Sequence, residues 1–151
     1  MLPATRDALV ERLSAYGTLV EVGIGRRTDV AAALSRRARV VATDVRERPV
    51  PDGVAFVRDD VTEPRTDVYA DADAVYSLNC PPELHRPLRT VARDHGAACL
   101  FTTLGGDAPA IDALPETLPG ETLYAASDGP GRGGRMIGGE RGRRGGDSRE
   151  P

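Results

Sequence analysis

Hydrophobic and polar positions along the chain alternate between a helical period and short, continuously apolar runs. Over residues 4–16 the apolar positions recur at helical spacing, and Pro3 and Thr5 supply a helix start. Gly17 ends this segment, and an apolar run at 18–22 follows at once. Such a run is typical of a strand that is buried on both faces of a parallel sheet. The chain therefore opens with a predicted helix and a predicted strand.

The same alternation continues to about residue 126. The predicted strands are 18–22, 39–43, 54–57, 74–78, 97–103 and 121–126, the last at a sheet edge. The predicted helices are 4–16, 28–37, one from Pro81 or Pro82 to Gly96 with a break at Pro87, and 108–114, while 63–71 forms a turn or short helix. Strands that alternate with helices predict a Rossmann-like α/β fold of three layers with a mostly parallel sheet.

Glycine and arginine dominate the sequence from residue 128 onward, and Met136 and Ile137 are almost its only apolar residues. Such a segment cannot bury enough surface to offset the entropy lost on ordering. We therefore expect residues 1–127 to form one domain and residues 128–151 to be a disordered tail.

The charge balance limits the classes of partner. Residues 1–127 carry 14 arginines against 19 acidic residues, and the chain has no lysine. High-affinity binding of nucleic acid requires basic residues that neutralise phosphates, so the acidic body argues against nucleic acid as a partner. A GC-rich genome explains the arginines, and an acidic, lysine-free domain also suits the high-salt cytosol of a halophilic archaeon.

Cysteine usage and hydropathy bear on the compartment. Cys80 and Cys99 form neither a metal-ligand spacing nor a disulfide framework. We find no signal peptide and no apolar run long enough to span a bilayer. We therefore expect a soluble cytoplasmic protein without a metal site or a membrane partner.

The first candidate site is the turn Glu21-Val22-Gly23-Ile24-Gly25 after the first strand. Glycines let a backbone approach a ligand closely, and the next helix presents its positive end. A dinucleotide site requires a third glycine three residues later, where this chain has Thr28. Glu21 instead suits a cationic ligand, such as the ammonium group of a methionyl moiety. The alternative is a tight turn that binds nothing.

Acidic residues end the next two strands. Asp44 lies 19 residues after Gly25, close to the spacing of about 20 at which a carboxylate reaches ribose hydroxyls. Asp59 and Asp60 end the third strand, where Asp60 is the better placed to accept the exocyclic amino group of adenine. The alternatives are a polar strand end for Asp44 and a solvated turn or helix cap for the aspartate pair.

The fourth strand runs into Asn79-Cys80-Pro81-Pro82-Glu83. This segment lies beyond the carboxyl end of a central strand, where open α/β sheets bind their ligands. Pro81 and Pro82 stiffen this loop and direct the Asn79 amide into the cleft. Cys80 lacks a partner base, which favours a structural thiol over a nucleophile. His85 is either a general base or, as we expect, a surface residue.

Together these residues resemble a class I S-adenosylmethionine-dependent methyltransferase domain. More closely, the segments VEVGIGRRTDVA, VVATDV, FVRDDVTEP and VYSLNCPPELHRPL are similar to a small archaeal family, uncharacterised protein family 0146 (UPF0146), which is methyltransferase-like. The similarity covers about residues 5–126 and excludes the tail.

The resemblance implies a role for each matching residue. The cofactor-binding positions are Glu21, Gly23 and Gly25 in the glycine loop, Asp44 at the ribose and Asp60 at the adenine. The catalytic positions are Asn79, Pro81 and Pro82, which partly match the Asn/Asp-Pro-Pro-aromatic motif of methyltransferases that modify amino groups of bases. Cys80 is inserted in that motif, and Glu83 replaces the stacking aromatic. These departures argue against base methylation.

The resulting hypothesis is a minimal domain that binds S-adenosylmethionine and transfers its methyl group to an acceptor that the sequence does not identify. The sulfonium is already activated, so the protein mainly aligns the acceptor with the methyl carbon. One alternative is a non-catalytic ligand-binding or scaffold protein with a degenerate methyltransferase fold, in view of the short chain and the imperfect loop at 79–83. A second is a nucleotide- or NAD-binding Rossmann protein, which Thr28 disfavours.

Overall fold

The computed structural model describes residues 1–127, so the expectation of a disordered tail at 128–151 falls outside the described residues. In chain order the elements are α1 (Pro3–Leu13), β1 (Thr18–Val22), α2 (Asp29–Leu34), β2 (Arg39–Asp44), β3 (Val54–Arg58), α3 (Thr66–Tyr69), β4 (Ala74–Cys80), α4 (Pro82–Asp94), β5 (Ala98–Thr103), β6 (Ala113–Leu118) and β7 (Glu121–Ala126).

The seven strands form one sheet in the order β3-β2-β1-β4-β5-β7-β6. Strands β1 to β5 are parallel, and β7 runs antiparallel between β5 and β6. The chain crosses from β3 to the other side of β1 to form β4, so the strand order reverses between β1 and β4. Ligands bind at such a switch point in open α/β sheets. The predicted Rossmann-like fold is confirmed.

Helices cover both faces of the sheet and produce two hydrophobic cores. Leu19 of β1 packs with α1 and α2 in one core, whereas Val20 packs with α3 and α4 in the other. This division follows from the strand geometry, because successive side chains point to opposite faces. No helix in residues 1–127 is long and apolar enough to cross a membrane.

The carboxyl-terminal part of the domain differs from the prediction. The predicted helix at 108–114 is wrong, because residues 108–112 are not helical and residues 113–118 form β6, which pairs with β7 along its whole length. Strand β7 exists as predicted but lies inside the sheet, and β6 forms the edge. Pro115 is tolerated there because an edge strand does not need every N–H. Pro119 and Gly120 make the hairpin turn, with Gly120 at φ 72°.

The helices also differ from the prediction in their continuity and in the residues at which they end. Helix α4 continues through Pro87 from Pro82 to Asp94, so the predicted break at Pro87 does not occur. Proline lacks an N–H and removes one helical hydrogen bond. Burial of Leu88 and Val91 against the second core stabilises the helix on the far side of that missing bond. Helices α1 and α2 end three residues before their predicted ends.

Candidate functional site

The glycine turn joins β1 to α2 at the carboxyl edge of the sheet. Gly23 and Gly25 have φ angles of 72° and 60°, a left-handed conformation that favours glycine. The N–H groups of Gly23 and Ile24 donate to the Thr43 carbonyl at 2.9 and 3.0 Å. A Cβ on Gly23 would meet no atom within 4 Å, so the space beside this turn is open.

The Asp44 carboxylate, at the end of β2, accepts hydrogen bonds that hold the glycine turn in place. Its Oδ2 accepts the Gly25 N–H at 2.9 Å, and its Oδ1 accepts the Arg46 N–H at 3.0 Å. The Arg48 Nε lies 3.4 Å from Oδ2 as an ion pair. The residue is 7% exposed. A carboxylate has about four lone-pair sites, so these bonds leave room for a ligand hydroxyl. The structure thus brings Asp44 and Gly25 together.

Glu21, near the end of β1 and next to the turn, is enclosed and not open to solvent. The residue is 2% exposed, and the Tyr76 hydroxyl donates to Oε1 at 2.7 Å. Burial raises the pKa of Glu21 to about 8, against the lowering effect of the Tyr76 hydrogen bond, and the nearby charge of Asp29 adds to the rise. Burial therefore favours the protonated form of this carboxyl at neutral pH.

Of the two aspartates that follow β3, Asp59 is buried and Asp60 is exposed. The buried Asp59 accepts the Tyr69 hydroxyl at 2.8 Å and the Arg65 N–H at 2.9 Å, so it holds α3 in place. Asp60 is exposed, and its Oδ1 accepts the N–H and the hydroxyl of Thr62, which lower the pKa of Asp60. Asp60 is the member that is available to a ligand.

An open cleft of about 560 Å³ runs alongside these strand ends and is lined by Val45, Arg58, Asp59, Asp60, Glu63 and Arg65. Val45 is 56% exposed, although it is apolar and directly follows Asp44. It offers the cleft a surface on which a flat ring can pack. Sequence reasoning missed Val45, although an apolar residue directly after an acidic strand end is a signal that could have identified it.

The end of β4 and the start of α4, which contain the predicted loop residues 79–83, lie at the same edge of the sheet. Asn79 is exposed and has φ 53°, a left-handed conformation that no other non-glycine residue in 1–127 adopts. Its N–H donates to the Thr102 hydroxyl at 2.7 Å, and the pairing of β4 with β5 shifts register between Ser77 and Cys80. Pro81 and Pro82 then start α4. The structure therefore presents Asn79 at a bulge near the switch point.

His85 is wholly buried, so the expectation of a surface histidine is wrong. Its Nδ1 accepts the Ala110 N–H at 3.0 Å, which leaves Nε2 as the donor to the Cys80 carbonyl at 2.9 Å. The ring packs 4.4 Å from Phe101. With both nitrogens engaged, His85 ties the start of α4 to the loop before β6 and is poorly placed to act as a base.

The Cys80 thiol is also enclosed. Burial raises its pKa, which lowers the fraction of reactive thiolate and favours a structural role. Among residues 1–127, no group of three or more histidine, cysteine, aspartate or glutamate side chains is placed to hold a metal ion.

The fold is a Rossmann-like α/β fold that is similar to the folds of solved methyltransferases. An RNA methyltransferase from Salinibacter ruber with bound S-adenosyl-L-homocysteine has a TM-score of 0.57 at 20% identity, over 85% of this chain and 94% of that one. Human N-acetylserotonin methyltransferase with bound SAM has a TM-score of 0.59 at 10% identity, over 81% and 51%. At sequence identities this low, the similarity establishes a shared fold and not a shared function.

The chain matches the model of an uncharacterised protein family, UPF0146, over residues 6–125, and it belongs to that family. A UPF0146 protein from Halobacterium salinarum is 52% identical over 119 residues, which are 77% of this chain and 92% of that relative. One from Archaeoglobus fulgidus is 51% identical over 92 residues, 60% of this chain and 71% of the relative. The predicted family resemblance is confirmed.

A putative zinc-dependent alcohol dehydrogenase from Rhodobacter sphaeroides is also similar, with a TM-score of 0.53 at 19% identity over 71% of this chain and 48% of that one. The fold alone therefore does not separate methyltransferases from dinucleotide-binding proteins. The dinucleotide fold has the strand order 3-2-1-4-5-6. Here the antiparallel β7 is inserted between β5 and β6, which is a departure from that order.

Proposed function

We propose that the protein binds S-adenosylmethionine at the carboxyl edge of the sheet, between the glycine turn and the ends of β2 and β3. The observation that carries this proposal is the position of Asp44, which is bonded to Gly25 while Val45 and Asp60 line the adjoining cleft. A carboxylate, an apolar wall and a second acceptor are the groups that an adenosine requires.

Each part of the adenosine has a partner in this arrangement. The ribose hydroxyls donate to the unused lone pairs of Asp44. Adenine packs on Val45, and its amino group donates to Asp60, whose Oδ2 is left available because both Thr62 donors go to Oδ1. The methionyl part lies over the glycine turn, with its ammonium group on the side of Glu21.

Methyl transfer at this site requires mainly alignment. Bound S-adenosylmethionine supplies an activated methyl group, and a correctly oriented acceptor reacts without a catalytic triad. Asn79 supplies an exposed carboxamide near the end of β4, beside the switch point, and Pro81 and Pro82 follow it at the start of α4. Glu83 is exposed where an aromatic would stack on a base, which argues for an acceptor other than the amino group of a base.

A second candidate function is ligand binding without catalysis, as a sensor or the scaffold subunit of a complex. The observation that favours it is the burial of Cys80 and His85, the two side chains in this region that sequence reasoning considered as nucleophile and base. An acceptor that needs deprotonation therefore finds neither of them free to take its proton. Detection of binding without transfer would support this candidate.

Calorimetric titration of S-adenosylmethionine, S-adenosylhomocysteine and NAD tests the cofactor. We expect the first two to bind and NAD to give no heat. Asp60→Asn removes an acceptor for the adenine amino group and weakens binding by about tenfold or more, the value of a hydrogen bond to a charged group. Asp94→Asn, an exposed aspartate at the end of α4, is the matched control and leaves the affinity unchanged.

The result that contradicts the cofactor proposal is an absence of heat with both sulfur ligands, at low salt and at molar salt. Transfer is tested separately with methyl-labelled S-adenosylmethionine and fractions of RNA, protein and small metabolites. Label in one fraction identifies the acceptor class. Tight binding with no label in any fraction favours the sensor or scaffold function.

A further inference from the structure

The glycine turn and the loop that joins β2 to β3 form a second cavity. Its volume is about 530 Å³, within the range of about 300–1,000 Å³ that is usual for small-molecule sites. Gly25, Arg26 and Thr28 line it from the turn, and residues 47–51 line it from the loop. It shares no lining residue with the cleft at the ends of β2 and β3, so it is a separate candidate site.

The loop side of this cavity is held in place along its length. At its start the Arg46 N–H donates to the Asp44 carboxylate at 3.0 Å, and near its end the Val54 N–H donates to the Pro51 carbonyl at 3.2 Å. In between, Val50 packs against the core that contains α1 and α2. The prolines on both sides of Val50 have a fixed φ angle. The cavity therefore has a rigid wall.

Three side chains of the lining have donor groups that no protein acceptor uses. Within residues 1–127, Arg26 forms no hydrogen bond or ion pair, and the Thr28 hydroxyl donates to no acceptor. The Arg48 Nε is buried and lies 3.4 Å from the Asp44 carboxylate as an ion pair, without a hydrogen bond in this part of the chain. Buried polar groups normally form hydrogen bonds, so this lining favours a ligand that supplies acceptors.

The charges of the lining favour an anion. Besides Arg26 and Arg48, the lining contains the carboxylate of Glu47, which is exposed and forms no ion pair in the described part of the chain. Arg48 shares its charge with Asp44, but its Nη groups form no hydrogen bond in residues 1–127 and remain available. Two guanidinium groups against one carboxylate give the lining a net positive charge.

We propose that this cavity binds a small phosphate monoester through Arg26, Arg48 and Thr28. The organic part of the ligand packs against Pro49 and Pro51. A phosphate monoester has three terminal oxygens and a charge of about −2, so it can accept from all three side chains. A carboxylate has two oxygens and one charge and satisfies fewer of these donors. Guanidinium groups pair with phosphate in a bidentate geometry.

Phenyl phosphate is the probe for this inference, because it joins a phosphate group to an apolar ring. Titration into isotope-labelled protein should shift the amide NMR signals of Arg26, Thr28 and Arg48. Inorganic phosphate should shift the same signals but bind about tenfold more weakly, because it lacks the ring. Phenol, which has no phosphate group, should shift none of them. Benzoate should bind more weakly than phenyl phosphate.

Arg26→Gln tests the charge with little risk to the fold, because Arg26 is exposed and has no partner within residues 1–127. It should weaken binding of phenyl phosphate by about tenfold or more, the value of a hydrogen bond to a charged group. Arg27→Gln is the matched control, since Arg27 is an adjacent exposed arginine outside the lining. It should change the affinity by less than about twofold.

Glu47→Gln tests the sign of the ligand charge. Removal of a carboxylate from the lining should strengthen binding of an anion, by up to about fivefold. Weaker binding by this variant would assign a cationic ligand to the cavity and overturn the inference.

The inference is also overturned if neither phosphate probe shifts the amide signals of the turn and the loop at millimolar concentration. Equal weakening by Arg26→Gln and Arg27→Gln overturns it, because that result indicates a non-specific effect of net charge. Benzoate binding as tight as that of phenyl phosphate overturns the assignment to phosphate. Gly25 is the lining residue that also belongs to the proposed cofactor site, so a negative result here leaves the cofactor proposal standing.

Discussion

Ionisation of Glu21 should destabilise the ligand-free protein as the pH rises. Its pKa is about 8 in the folded state against an ordinary value of 4.5. Between these values the folded protein retains a proton that the unfolded chain has released. The free energy of unfolding therefore falls by about 1.4 kcal/mol per pH unit, on the order of 5 kcal/mol over the interval, and levels off above about pH 8.

Glu21→Gln isolates this effect because glutamine does not titrate and keeps the bond from Tyr76. At about pH 5, where Glu21 is protonated in the folded state, the two proteins should differ by less than about 1 kcal/mol. At about pH 8.5 the variant should be the more stable by roughly 3–5 kcal/mol, a large share of the 5–15 kcal/mol typical of a domain.

Urea unfolding followed by circular dichroism from about pH 5 to pH 9 measures the free energy of unfolding of both proteins as a function of pH. Subtracting one curve from the other removes the contribution of all other titrating groups. Glu63→Gln, at an exposed glutamate beyond β3, is the control and should run parallel to the wild type. Parallel curves for Glu21→Gln and the wild type would refute the reasoning, because they would mean that Glu21 is ionised in the folded protein throughout.

Three further predictions concern contacts that hold the domain together. His85→Phe fits the same space but cannot bridge its two backbone partners, and it should cost about 2–3 kcal/mol in urea unfolding; a loss below about 0.5 kcal/mol would contradict the bridge. The ion pair of Arg12 with Glu116, at 2.7 and 3.1 Å and partly exposed, should show a coupling of about 0.5–1 kcal/mol in a double-mutant cycle, decreasing in molar salt. A coupling that is unaffected by salt would exclude an electrostatic origin. Gly120→Ala should lower the melting temperature, since the residue has φ 72° and its Cβ would lie 2.9 Å from the Thr5 Oγ1. An unchanged melting temperature would show that the hairpin turn relaxes freely.

The first five strands could be predicted because buried parallel strands are near-continuous apolar runs that glycine and proline interrupt. Strand β6 lacks this signal, since Leu114 is 68% exposed, Pro115 removes a donor and Glu116 is polar. Its extended state comes from pairing with β7 and from the ion pair that ties Glu116 to Arg12 of α1. Neither partner can be recognised from the sequence pattern around β6, which is why no strand was predicted at 113–118.

The position of the candidate site residues at one edge of the sheet can be predicted from the strand pattern of the sequence. The glycine turn, Asp44, Asp60 and Asn79 all end parallel strands, and the carboxyl ends of such strands lie at one edge of the sheet. That juxtaposition follows from topology and needs no knowledge of packing. The site residues themselves stay predictions until a ligand is measured.

The burial and the hydrogen-bond partners of each acidic and basic group, by contrast, depend on the packed fold and cannot be read from the sequence. Glu21 and Asp60 look alike in sequence, yet Glu21 is enclosed with Tyr76, 55 residues away, and Asp60 is exposed. His85 was expected at the surface and instead bridges two backbone segments in the core. Charge and reactivity depend on burial and on partners distant along the chain, because the desolvation of an ionisable group is a property of the packed interior.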